Sequence, residues 1–259
     1  MTDIKHFDSN GVDIAYIDLA AQPDAAPVQP LPILLIHGFA SNISMNWISP
    51  GWTDVLTKSG FRVIAFDNRG HGHSAKLYDL EQYGAPLMSE DARRLLDHLQ
   101  IERAHVMGYS MGARIAAFLA IAHPERVARV VFGGLGINMV RGMAGTGPIA
   151  HALEAASIDD VTNPTARTFR AFAEQTKSDL KALAACIRSS RAKLSAEMVG
   201  SIQSPVLVAV GEHDVIGGSA DALAALIPGA ESFVIPDREH MKAVGDKAFK
   251  AAVIRFFGD

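Results

Sequence analysis

The chain has 259 residues, 24 lysines and arginines against 28 aspartates and glutamates, and a formal charge of −4, enough for one large domain or a domain with an insertion. No basic block of five or more residues occurs, which excludes electrostatic binding to nucleic acid or an anionic membrane and favours a small-molecule partner. Cys186 is the only cysteine, which excludes an internal disulfide framework and a multi-cysteine zinc site; it reads as a small apolar filler in a reducing compartment. The first residues lack an apolar core of signal-peptide length and no run approaches the ~18 apolar residues of a membrane span, so a cytoplasmic protein is expected.

In chain order, residues 12–19 alternate apolar and polar side chains in part, the pattern of a half-exposed antiparallel strand, with 4–7 as its partner. Residues 20–30 are rich in proline and alanine and read as a surface loop. Pro-Ile-Leu-Leu-Ile at 32–36 is a continuous apolar run, expected of a strand buried on both faces, and runs into His37-Gly38-Phe39-Ala40. A helix is predicted over 52–58, stopped by Ser59-Gly60, then a buried strand over 62–66 and an amphipathic helix over 89–99 with Ala92, Leu95, Leu96 and Leu99 on one face. Strands follow at 104–107 and 127–132, separated by an alanine-rich helix over 111–123 that Pro124 ends.

Between Gly133 and Ser204 strand-like runs vanish and helical spacing takes over, best at 165–177 and 178–191. From Pro205 the earlier rhythm returns: a strand at 206–210, a helix at 220–227, a strand at 232–235 and one closing helix over 241–257. Strands alternating with helices imply a mostly parallel sheet covered on both faces.

The chemistry centres on Gly108-Tyr109-Ser110-Met111-Gly112, between a short strand and a helix. A serine on so sharp a turn is strained and its hydroxyl is pushed out of the sheet, while the flanking glycines let neighbouring chain pass. Serine is a poor nucleophile until a histidine takes its proton, and that histidine needs a carboxylate to orient it. Two later strands end in suitable residues: Gly211-Glu212-His213-Asp214, and Pro236-Asp237-Arg238-Glu239-His240. Asp214 orienting His240 beside Ser110 is the expected relay. Asp237 and Glu239 are rival acids, and His213 is a rival base. His71-Gly72-His73 has half the makings of a metal site, but the following Ser-Ala-Lys supplies no further ligand and a structural loop is expected. Arg69 reads as a structural charge and His37 as a support for the loop it begins.

His37-Gly38 after one strand, Asp67-x-Arg69-Gly70-x-Gly72-x-Ser74 after the next, Gly108-x-Ser110-x-Gly112, Gly211-x-x-Asp214 and His240 together resemble the α/β-hydrolase superfamily over nearly the whole chain. The resemblance implies an eight-stranded, mostly parallel α/β sheet flanked by helices, with a small helical lid after the sixth strand. It divides the chain into a core of 1–133 and 205–259 and a lid of 134–204. It assigns Ser110, Asp214 and His240 as the catalytic residues and the backbone amides of Phe39 and Met111 as the oxyanion hole. The implied activity is cofactor-free cleavage of short to medium acyl esters through an acyl-enzyme, on a small-molecule ester. Carbon-carbon bond hydrolysis, enol-lactone hydrolysis and cofactor-free haloperoxidase or perhydrolase chemistry use the same residues. Tyr109, where carbon-carbon bond hydrolases commonly have Asn, and Ala113, where many relatives have Gly, count against that branch. Outside enzymes, the scaffold also suits a ligand receptor. Trp47, Met139, Ile216 and Met241 are expected at the substrate pocket, with Met111 and Met143 adding adaptable apolar surface.

Overall fold

The structure, a computed structural model, describes residues 3–22, 27–142, 146–189 and 193–258. The strands are β1 (Lys5–Asp8), β2 (Asp13–Leu19), β3 (Ile33–Ile36), β4 (Val63–Phe66), β5 (Ala104–Tyr109), β6 (Val127–Gly133), β7 (Val206–Gly211) and β8 (Glu231–Ile235). They form one sheet in the order β1-β2-β4-β3-β5-β6-β7-β8. The pairs β1·β2 and β2·β4 are antiparallel and all the others are parallel.

Residues two apart on a strand share a face, and this period sorts the apolar runs between two cores. Leu34, Ile36, Ile64, Phe66, Val106, Val208 and Val210 enter one cluster; Ile33, Leu35, Val63, Ala65, Met107, Leu207 and Ala209 enter the other. The first face is covered by α2 (Ala85–His98), α3 (Met111–Ala122) and α9 (Ala220–Ala224), the second by α1 (Trp52–Lys58) and α11 (Lys247–Gly258). Burial on both faces explains why the central strands are continuous apolar runs.

Between β6 and β7 the chain forms α4 (Asn138–Arg141), α5 (Thr146–Glu154), α6 (Pro164–Gln175), α7 (Leu180–Arg188) and α8 (Ala196–Gly200). Local sequence starts two of these sharply: the Asn163 side chain accepts from the Ala166 amide at 2.9 Å, and Asp179 accepts from the Lys181 and Ala182 amides at 3.0 Å. Arg170, buried on α6, closes the end of α5 by donating to the carbonyls of Ala152 (2.7 Å) and Ala155 (2.9 Å), a cation where the helix dipole is negative. Ile149, Leu153, Phe169, Leu183 and Ile187 of these helices join the first core cluster. The helix expected over 178–191 spans Leu180–Arg188; residues 190 and 191, like Met143, lie outside the described residues.

Two expectations are corrected. The closing helix is two pieces, α10 (His240–Ala243) and α11, because the Asp246 carboxylate caps a new start at the amides of Ala248 (2.7 Å) and Phe249 (3.3 Å). The helix expected from Ser89 begins four residues earlier, with proline in its first turn, where the missing amide hydrogen costs nothing. Among the described residues no helix is long and apolar enough to cross a membrane.

Candidate active site

Ser110 sits between β5 and α3 with φ 55° and ψ −112°, a left-handed backbone that costs a non-glycine residue about 1–3 kcal/mol. Its neighbours hold it there. A Cβ on Gly112 would lie 1.9 Å from the Ile36 carbonyl oxygen, and one on Gly108 would lie 2.1 Å from the Gly112 oxygen. Only glycine permits this approach of α3 to β3 and β5. The Ser110 amide donates to the Gly133 carbonyl at 2.7 Å, so the turn is also tied to β6.

The serine hydroxyl lies 3.0 Å from His240 Nε2, and His240 Nδ1 lies 2.7 Å from Asp214 Oδ2. The other Asp214 oxygen accepts from the amides of Ile216 (2.9 Å) and Gly217 (2.8 Å), which fixes the carboxylate. Both Asp214 and His240 are buried. An ionised carboxylate at Nδ1 places the histidine proton there and leaves Nε2 free to accept the serine proton. The structure therefore brings together the three side chains that the sequence paired.

It separates the rivals. Asp237 lies 3.9 Å from His213, both largely exposed, and Glu239 faces Lys242 at 3.8 Å. With Glu212, His213 and Asp237 form an exposed cluster with metal-ligand spacing, the only such group among the described residues. The remaining loop residues are framework. His37 Nε2 accepts from the Asn68 amide at 2.9 Å, so Nδ1 carries the proton and donates to the Gly38 carbonyl at 2.7 Å. Burial pushes His37 down to about 4, and burial together with the neighbouring His37 pushes His71 down to about 3. Arg69 makes a two-pronged pair with Asp91, at 2.7 and 2.6 Å, with both side chains buried.

Met111 is the first residue of α3, so its amide has no partner within the helix and points with the positive end of the dipole. Phe39 follows Gly38, whose amide is held by Asn46 Oδ1 at 3.1 Å. Two cavities meet at Ser110 and Phe39. One, of about 60 Å³, runs under α5 and α7 past Met88, Leu135, Ile149 and Ile187. The other, of about 1100 Å³, is an open cleft bounded by α6, His240 and Met241. Phe39 and Phe169 border both, with ring centroids 6.0 Å apart.

Of the expected pocket residues, Met241 lines the cleft. Trp47 does not: it is fully buried in the second core, edge-on to Trp52, because a π-helical turn over Ser44–Ile48 turns its ring inward. Met139 is fully buried in the first core and Ile216 packs against that core; both lie off the walls of the two cavities. Residues the sequence reading did not place are Arg114, Cys186 and Ile187 at the smaller cavity, and Tyr109, whose hydroxyl donates to the His240 carbonyl at 2.6 Å. Arg114, Cys186 and Ile187 sit at ordinary helical positions, with no local signal to mark them.

A family described as the alpha/beta hydrolase fold matches residues 32–140. The chain is 32% identical over 225 residues to the dihydrolipoyllysine-residue acetyltransferase component of the acetoin cleaving system of Pseudomonas putida, a match covering 81% of this chain and 58% of that protein. It is 38% identical over 129 residues to 2-hydroxymuconate semialdehyde hydrolase of Pseudomonas sp. strain CF600, covering 48% of this chain and 41% of that protein. The chain thus spans about half the length of these curated relatives. Its fold is that of the enol-lactonase from Burkholderia xenovorans LB400, with a TM-score of 0.77 at 24% identity over 98% of this chain and 100% of that one. Fold and sequence together define a hydrolase scaffold of the strand-turn-helix kind. Residues 32–140 match that family, and the chain as a whole has the α/β-hydrolase fold.

Proposed function

We propose that the protein is a serine hydrolase that cleaves carboxylic esters of short to medium acyl chains through an acyl-enzyme. The observation that carries this reading is the hydrogen-bonded line Ser110, His240, Asp214, ending at a serine where two cavities meet. In acylation His240 Nε2 takes the serine proton, Ser110 Oγ bonds the carbonyl carbon, and the amides of Phe39 and Met111 receive the developing oxyanion. Collapse breaks the carbon-oxygen bond to the alcohol, which leaves with the proton from His240. Water then attacks the acyl carbon with His240 as base, releasing the acid and restoring Ser110. Residues 134–204 act as the lid, supported by the side chains of α5, α6 and α7 that border the two cavities.

Carbon-carbon bond hydrolysis is the second reading, favoured by the similarity to the semialdehyde hydrolase. A fluorophosphonate adduct on Ser110, located by mass spectrometry, together with turnover of p-nitrophenyl butyrate that Ser110→Ala abolishes, is the expected result. Labelling at another residue, or undiminished turnover by Ser110→Ala, overturns the serine mechanism. Turnover of vinylogous diketones but not of esters selects the second reading.

A further inference from the structure

Resting on the ester reading above, we infer that the two cavities divide the substrate unequally: the small one takes a short acyl group and the larger cleft takes a bulky alcohol. The direction follows from the proton. The leaving oxygen must receive its proton from His240 Nε2, so the alcohol lies on the side of Ser110 that His240 occupies. His240 borders only the cleft, together with Met241 and Lys242. The acyl carbon stays on Ser110 after the alcohol departs, and the space left for its chain is the cavity reached past Met111, from which His240 is absent. The same sidedness serves deacylation, because water enters through the vacated cleft and meets His240 there.

Size then sets the substrate class. At about 60 Å³ the first cavity is far smaller than the cleft of about 1100 Å³, so it takes the shorter half of the substrate. Met88, Leu135, Ile149 and Ile187, all buried, line it beside Arg114 and leave room for a short acyl chain. The cleft of about 1100 Å³ is at the upper end of what a drug-sized ligand fills. Phe39 and Phe169 stand between the two spaces, so a long acyl chain cannot spill from one into the other without displacing an aromatic ring. The substrate is a short-chain ester of a large alcohol, the reverse of a fatty-acid ester of a small one.

The test is a matrix of kcat/KM values: acetyl, butyryl, hexanoyl and decanoyl esters, each of ethanol, benzyl alcohol and 2-naphthol. Within each alcohol kcat/KM is expected to rise about four-fold per methylene from acetyl to butyryl and to fall at least ten-fold by decanoyl. Within each acyl group it rises from ethyl to naphthyl. Two variants separate the halves. Ala85, buried at the small cavity, becomes a plug in Ala85→Leu, which erases the butyryl advantage and leaves the naphthyl advantage intact. Ala171, exposed on α6 at the cleft, becomes a wall in Ala171→Trp, which cuts the naphthyl advantage and leaves the acyl profile intact. Should Ala85→Leu fail to fold, Ile187→Val supplies the opposite change and moves the acyl optimum toward hexanoyl. A decanoyl ester turned over as well as butyryl, or the two variants exchanging their effects, overturns the inference while leaving ester hydrolysis in place. Absence of ester turnover and of a Ser110 adduct overturns the ester reading itself.

Discussion

The Tyr109 hydroxyl donates a 2.6 Å hydrogen bond to the backbone carbonyl of His240, joining two residues 131 positions apart. Tyr109 immediately precedes Ser110, and His240 accepts the serine hydroxyl's approach at 3.0 Å, so this bond ties the backbones on both sides of the reacting pair. Burial, with Asp214 and Glu239 nearby, holds the tyrosine well above the ordinary phenol range, which keeps the hydroxyl a donor at neutral pH. Tyr109→Phe removes one buried hydrogen bond and leaves a carbonyl unpaired, a loss of about 1–3 kcal/mol of stability. The kcat for a p-nitrophenyl ester is expected to fall more than KM rises, because the histidine and not the pocket is displaced. Urea unfolding and steady-state kinetics on the same preparation measure both.

Asp214 is the proposed orienting acid, on its hydrogen bonds to His240, Ile216 and Gly217. Asp214→Asn keeps the side-chain shape but not the charge that selects the Nδ1-protonated tautomer, and kcat should drop by up to ~10⁴. Asp237→Asn, at an exposed carboxylate 3.9 Å from His213, should change kcat less than two-fold. A reversal of the two severities in side-by-side kinetics would show that the orienter is misassigned.

Acid should unfold the protein through the pair His37 and His71. Both have an ordinary value of 6.5 when unfolded and lie at about 4 and about 3 when folded, so the unfolded chain takes up their protons first. Stability from this source is complete above pH 6.5 and is lost as the pH falls toward 4, at up to about 1.4 kcal/mol per pH unit for each histidine. Urea midpoints between pH 7.5 and 4.5 should fall, and His71→Gln should flatten that fall. An unchanged slope in the variant would remove His71 from the account.

Breaking the buried pair under α2 should cost far more than a surface ion pair. Asp91 is 1% exposed and Arg69 4%, and the Ser9 hydroxyl adds a 2.6 Å bond to the carboxylate. Asp91→Ala strands a buried guanidinium and should lower stability by about 3–5 kcal/mol. Asp91→Leu combined with Arg69→Met removes both charges and should recover part of that loss, measured as a double-mutant cycle in urea.

The central strands were legible because burial on both faces writes itself as an unbroken apolar run, and the polar residues just past their ends were legible as chemistry. Ser110 and Asp214 each follow such a run, whereas His240 follows the largely exposed edge strand β8, and the rest of their geometry comes from strand order. Trp47 was not legible, because a residue in a loop carries no period and its inward turn depends on a π-helical twist. Met139 fits core and pocket equally on composition alone. The break before Lys247 did carry a signal, Asp246 as a cap, but the apolar spacing on either side masked it. Nothing local marks Tyr109 as a tie to His240, since its partner is a main-chain oxygen brought close only by the sheet.

The close approach of Gly112 to the Ile36 carbonyl is expected to make the strained turn at Ser110 a late product of folding. β3 is made before β4 yet lies between β4 and β5, so its docking requires a non-local insertion into the middle of the sheet. Non-local pairings of this kind form slowly, whereas α3 can coil within microseconds of collapse. A chain with its helices in place but β3 undocked lacks the surface that holds Ser110 in its strained turn. Reactivity of Ser110 toward a fluorophosphonate during refolding is therefore expected to clock the closing of the sheet's centre and to trail the recovery of helical signal.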